Sequence, residues 1–195
     1  MLRAVRRPQP LIALGLALAA LLAVAATPAA AWHGHGRHHA GYGATTLALD
    51  PGAAAALTGL GVTPAPIAPA RALPSGELAF PITNSLRKAL RTGVIRHSGG
   101  ISLTAGSTTV KLEDFVIDPA RQQLTARVGD ARLPILALDF SKARIRFSRG
   151  GLTIGPVGGL LTAGAADALN AAFGLAPGTV PAGLKLGDAT VRYRL

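Results

Sequence analysis

Four of the five histidines of this 195-residue chain stand close together, in the run Trp32-His33-Gly34-His35-Gly36-Arg37-His38-His39. Neutral imidazoles on a glycine-spaced backbone can gather around Zn²⁺, Ni²⁺ or Cu²⁺, which makes His33, His35, His38 and His39 candidate metal ligands. The same composition also suits a solvated spacer. The fifth histidine, His97, leads into Ser98-Gly99-Gly100, but this serine has no G-x-S-x-G elbow to expose it as a nucleophile. No His-Glu-x-x-His pair, P-loop or helix-opening G-x-G-x-x-G occurs. Glu113 and Asp114 are adjacent, so on a strand they point to opposite faces, whereas paired acid–base work needs carboxylates that converge. The absence of cysteine removes thiolate nucleophiles, iron–sulfur ligation and thiolate zinc sites. These residues read as a non-enzymatic chain, with an envelope hydrolase as the alternative.

Positive charge is the more informative signal. Lys142, Arg144 and Arg146 alternate with Ala143, Ile145 and Phe147, and Arg192 and Arg194 alternate with Val191 and Tyr193. If the two segments lie close, Lys142, Arg144, Arg146, Arg149, Arg192 and Arg194 form one patch for an anionic partner: a wall polymer, a lipid headgroup or a carboxylated ligand. A solvated face that keeps the chain soluble is the alternative. Nucleic acid is disfavoured, because few aromatics interleave with these charges and the chain carries an export signal.

That signal occupies residues 1–31. Arg3, Arg6 and Arg7 precede the apolar run Leu11–Ala26, and Thr27-Pro28-Ala29-Ala30-Ala31 supplies an Ala-x-Ala cleavage pattern. The run is shorter than the about 20 apolar residues a membrane span requires. A general secretory signal cut after Ala31 is expected, leaving a secreted chain with no stable transmembrane span. With no lipobox cysteine or C-terminal anchor in the sequence, free release is expected. Loss of the three arginines takes the formal net charge from +11 to +8. Residues 32–43 read as a disordered His/Gly-rich tail, and residues 44–195 as one β-rich domain held by core packing without disulfides.

The elements that must position any site form a mainly β fold with minor helix: an antiparallel meander or sandwich-like sheet with two short Ala-rich helices near its ends. Apolar-alternating runs recur from Gly93 to Ile154, punctuated by Asp118-Pro119, Gly129-Asp130 and Arg149-Gly150-Gly151. Thr45–Leu49 reads as a strand that feeds, through Asp50 as N-cap and Pro51 at N1, a helix over Gly52–Leu60. The proline-rich segment Val62–Pro74 can run extended but cannot supply a central strand. Glu77–Ile82 reads as a strand, followed by polar residues through Thr92. Thr162 caps a second helix, Ala163–Phe173, with an apolar face of Ala165, Ala168, Leu169 and Ala172. Ala143, Ile145 and Phe147 are expected to face the core, as are Ala189, Val191, Tyr193 and Leu195 in a docked final strand. In Val110–Ile117 the alternation breaks, and a β-bulge near Glu113-Asp114 restores it.

The run Gly93–Leu103, with its His97-Ser98-Gly99-Gly100, followed by Leu112–Pro119 with the Asp118-Pro119 step, resembles the core of haem-transport-associated (HtaA-type) domains. The likeness continues through Leu136-Ala137-Leu138-Asp139 into Leu161-Thr162-Ala163-Gly164-Ala165, and so covers about residues 93–174. That family comprises exported or surface-anchored β-rich domains of actinobacteria, some of which bind haem. The resemblance implies haem as a cofactor, with His97 as iron ligand and Arg96 pairing with a propionate. The family's leading Trp…Phe…Tyr segment has no counterpart before Gly93, since Trp32 and Tyr42 lie in the tail. The expected ligand is therefore haem or an anionic envelope polymer.

Overall fold

The computed structural model describes residues 42–194. The leader, the histidine tract and Leu195 lie outside the described residues. In chain order the elements are β1 (Gly43–Leu49), α1 (Pro51–Gly59), β2 (Thr63–Ile67), β3 (Arg71–Ala72), β4 (Leu78–Pro81), α2 (Leu86–Thr92), β5 (Ile95–Arg96), β6 (Gly100–Ala105), β7 (Thr108–Asp118), β8 (Gln123–Val128), β9 (Ala131–Asp139), β10 (Arg144–Ser148), β11 (Gly151–Leu161), α3 (Ala163–Ala172) and β12 (Lys185–Arg194). The fold is mainly antiparallel β, as the alternation predicts, with short helices beside the sheet. The Asp50 carboxylate accepts from Gly52 N at 2.8 Å and Pro51 opens α1. The Thr162 hydroxyl accepts from Ala165 N and donates to the Pro134 carbonyl, so one residue starts α3 and ties it to β9.

All strands belong to one sheet, in the order β2-β6-β7-β8-β9-β11-β12-β1-β4-β3. The sheet curls until β4 comes up to β5, the short strand carried by β7. β5 pairs with β7, and just beyond β5 an isolated bridge joins His97 to Ile82 at the end of β4. Thr83 N donates to Arg96 O at 2.8 Å, Ser98 N to Pro81 O at 3.1 Å and His97 N to Phe115 O at 2.9 Å. These bonds seal the seam of a nearly closed barrel, and His97 sits in it. The buried Asn84 locks the same seam: its amide donates to Val94 O and its carbonyl accepts from Arg96 N, each at 2.9 Å. β2, rich in proline, is an edge strand on β6, as its missing N–H groups require. β12 is central, flanked by β11 and β1.

The expected bulge is present. The β7–β8 register slips between Glu113 and Val116, and Asp114 has φ of +51°. This bulge returns Phe115 and Ile117 to the core, where Phe115 meets Phe80 edge-on at 5.1 Å between ring centroids. Among the described residues Gln122 is the other non-glycine with positive φ, +52°. Its backbone N–H donates to Pro119 O and its carbonyl accepts from Leu138 N. Because a Cβ disfavours this conformation by about 1–2 kcal/mol, partly offset by glycine's larger unfolded entropy, Gln122→Gly is expected to gain about 0.5–1 kcal/mol. A urea unfolding midpoint that rises at unchanged slope checks this.

Three expectations change. The polar stretch after Ile82 contains a helix, α2, capped by the Ser85 hydroxyl and ended by Gly93 in the left-handed region. The inward face of α3 is Ala165, Ala166, Leu169 and Asn170; Ala168 and Ala172 are exposed. Asn170 turns inward because its side chain pairs with the Val180 backbone through two bonds, at 2.8 and 3.0 Å. The largest change is at β10. Ile145 is 64% exposed and Phe147 75% exposed, against the expected core facing. β10 pairs with β11 alone and lies off the barrel path, so nothing packs over its apolar side chains.

Candidate functional site

The alternating inward positions of β1, β7, β9 and β12 leave an apolar lumen of about 110 Å³, walled by Leu47, Phe115, Ile135, Leu138, Val157 and Val191 among others. Two polar side chains, His97 and Thr45, line it; both are buried. They meet across 52 residues of sequence: Thr45 Oγ1 lies 2.7 Å from His97 Nε2, and His97 Nδ1 lies 3.1 Å from the Phe115 carbonyl. A carbonyl can only accept, so Nδ1 carries the proton, Nε2 presents its lone pair, and the Thr45 hydroxyl donates to it. Burial among apolar side chains pulls the imidazole down to about 4, with the Phe115 carbonyl bond opposing the shift. His97 is therefore neutral at ordinary pH.

Leu47, Ile101, Leu112, Ile135 and Leu186 also border a second apolar chamber of about 310 Å³. Its remaining walls include Ala53, Ala56, Leu57 and Leu60 of α1 and its C-terminal cap, Leu169 and Phe173 at α3, and the segment Thr179–Leu184. Both helices that the sequence places at the sheet's ends thus close one chamber beside the lumen. A third apolar space of about 280 Å³, under α3, shares Leu112, Ile135 and Leu169 with it. Leu112 and Ile135 border all three.

The structure separates the residues that the family resemblance groups. Ile95 and His97 point inward and Arg96 is exposed on the outer face, as strand alternation demands. An Arg96 guanidinium therefore does not share a pocket with His97. His97 itself is buried, not exposed, and both ring nitrogens are engaged; ligation of iron at Nε2 would first require the Thr45 hydroxyl to turn away. His33, His35, His38 and His39 lie outside the described residues. Among the described residues no three His, Asp or Glu side chains converge as a metal site needs.

The cationic residues are partly brought together. Arg146, Thr153 and Arg192 stand in one cross-strand row over β10, β11 and β12, with Ser148, Gly151 and Arg194 in the next. Arg144 opposes Gly155. Lys142 does not belong to this group, since it borders a separate small pocket with Asp139, Lys185 and Asp188. The Asp139 carboxyl is held below its ordinary value chiefly by hydrogen bonds from Ser141, and the Lys142 charge adds to this. Glu113 and Asp114, expected on opposite faces, both reach Arg127, at 3.4 and 3.0 Å, because the bulge turns the chain between them.

Residue type alone does not mark Thr45 or Tyr193 as site members. The only sequence signal for Thr45 is a hydroxyl among inward positions of β1 that are otherwise the apolar Leu47 and Leu49. Among the described residues the buried Tyr193 hydroxyl has no hydrogen-bond partner, and burial pushes its pKa up to about 12. Since an unsatisfied buried hydroxyl costs about 1–3 kcal/mol, Tyr193→Phe is expected to keep or raise stability, by up to about 1 kcal/mol. Thermal unfolding of the two forms at neutral pH checks this.

No described helix is long and apolar enough to cross a membrane. Comparison of the chain with protein-family models, curated proteins and solved structures found no match.

Proposed function

We propose that this chain is an exported, non-enzymatic binding protein of the cell envelope that takes a small, largely apolar ligand into the interior of its barrel. The observation that carries this reading is the lumen and the adjoining chamber, which share Leu47, Ile101, Leu112, Ile135 and Leu186 and hold their polarity at the His97–Thr45 pair. Ligand sites are characteristically apolar, with a few placed polar groups that fix orientation. In this pair the Thr45 oxygen keeps a free lone pair, so a ligand hydroxyl or protonated carboxyl could donate to it. The leader supports export. Haem is the second reading, favoured by the resemblance over residues 93–174 and by the place of His97 on the lumen wall.

A saturable rise in the fluorescence of N-phenyl-1-naphthylamine, reversed by an unlabelled long-chain fatty acid, is the expected result. Leu186 borders both lumen and chamber and is only half-buried, so Leu186→Trp fills the junction at little cost in packing. It is expected to weaken the probe at least tenfold while leaving the unfolding transition in place. No saturable binding, or equal binding by Leu186→Trp, would overturn the reading. A Soret shift on haem titration that is lost in His97→Ala would put haem in the apolar ligand's place.

A further inference from the structure

We propose that the β10–β11 hairpin and the adjoining face of β12 form a docking surface for an anionic lipid bilayer. The proposal does not depend on what the barrel interior binds. Its first ground is charge. Arg144, Arg146, Arg149, Arg192 and Arg194 make no ion pair among the described residues, and no acidic residue occurs between Asp139 and Asp167. Cations on β10 and β12 are separated by the single strand β11, which places only Gly155, Thr153 and Gly151 between them. At about 4.8 Å per strand, the two arginine rows stand about 10 Å apart over a floor of small residues.

That floor is a groove of about 340 Å³. Arg192 and Arg194 border it with the side chains of Thr46, Ser148 and Thr153 and the bare backbone of Gly43 and Gly151. Arg192 Nη1 already leans on Thr46 Oγ1 at 3.4 Å. Guanidinium groups, hydroxyls and close-approaching glycine backbone are the chemistry that holds a phosphate diester.

The second ground is apolar. Ile145 and Phe147 project from the opposite face of the same edge strand, 64% and 75% exposed, in register with the half-buried Ile154 and the buried Leu152 on the core side of β11. A wall polymer or other soluble polyanion would satisfy the arginines and leave Phe147 in water. A bilayer met by the free edge of β10 satisfies both: headgroup phosphates take the arginines on one face of the strand, and Phe147 and Ile145 enter the interfacial region from its other face. A second copy pairing along the β10 edge would cover the apolar side chains but bring like charges together.

The test uses protein recovered from the medium of an exporting host, so that every variant carries the same processed N-terminus. Sedimentation with vesicles of phosphatidylcholine plus one third phosphatidylglycerol is compared with phosphatidylcholine alone. Binding is expected to the anionic vesicles only and to fall as salt rises. The variant R144Q/R146Q/R149Q is expected to bind at least tenfold more weakly, since each basic residue near such a surface is worth about 1 kcal/mol, about fivefold. Ile145→Ser/Phe147→Ser is expected to lose several-fold. All these side chains are exposed, so the variants should fold, and unchanged far-UV circular dichroism confirms it. Phe147→Trp in a Trp32→Phe background should shift its emission to shorter wavelength on anionic vesicles. Equal binding to both vesicle types, or unweakened arginine variants, would overturn the proposal. So would heparin binding without any vesicle-induced shift, or a concentration-dependent dimer that binds no vesicles.

Discussion

Acidification from pH 7 to pH 4 is expected to cost the folded domain about 3 kcal/mol through one residue, His97. Its imidazole titrates near 6.5 in the unfolded chain and at about 4 in the barrel, because protonation would place a charge in an apolar lumen. Above about pH 6.5 both states are neutral and the stabilisation is fully present. Between 6.5 and 4 the unfolded chain takes up a proton that the native chain refuses, so stability falls as pH falls. Below about 4 both states are protonated and this residue contributes no further loss. At about 1.4 kcal/mol per pKa unit the difference corresponds to a drop of roughly 6–12 °C in Tm for a domain of this size. His97→Gln removes the titrating group, so its stability should be lower at neutral pH yet nearly flat across the same window. Parallel pH profiles for the two proteins would show that the imidazole is not buried neutral in solution. The carboxyl of Asp118, lowered chiefly by its hydrogen bonds from Arg121, adds its own loss at the acid end in both proteins and cancels in the comparison.

What could be read ahead of the structure follows the range of the forces involved. Local signals were legible. Asp50-Pro51 and Thr162 start their helices because capping is decided within a few residues, and the broken alternation at Glu113-Asp114 marks a bulge because the pleat has a strict period of two. The same periodicity misplaced Ile145 and Phe147. Alternation says which side chains share a face of β10, but whether anything covers that face depends on pairing with distant strands, and β10 has one neighbour. α2 escaped notice because it buries only Ala89 and leaves Leu90 76% exposed, so it carries no apolar stripe. The candidate site was half legible. His97 stood out by residue type, but its meaning comes from Thr45 and Phe115, which only the curled sheet brings to its two nitrogens. The arginines were legible as strand faces, and their union across β11 was not.

Gly99 and Gly100 follow His97-Ser98 for a steric reason, and replacing either is expected to open the barrel. A Cβ on Gly100 would lie 2.1 Å from the Leu112 carbonyl oxygen, and one on Gly99 would lie 2.6 Å from both Ala70 N and Ile67 O. Gly99 also has φ of +78°. The obstructing atoms are backbone atoms fixed in the sheet, so no side-chain rotation relieves the contact, and the chain must separate. Gly100 opposes Glu113 immediately beside the bulge, and Asp114 N donates to Gly99 O at 2.9 Å. Separation there pulls β7 from the strand that carries His97. Gly100→Ala is expected to lose about 3 kcal/mol or more, at the upper end of overpacking effects, with Gly99→Ala close behind. A contrast tests the cause: Gly164 in α3 has nothing within 4 Å of its would-be Cβ, so Gly164→Ala should gain a few tenths to about 1 kcal/mol from helix propensity. Urea unfolding gives the three numbers. Amide hydrogen exchange locates the damage, with protection of the His97 and Asp114 N–H groups expected to fall in the first two variants and to hold in the third. If Gly100→Ala were as stable as the wild type, β6 and β7 could not pair as closely beside the bulge as the Gly100–Glu113 register requires.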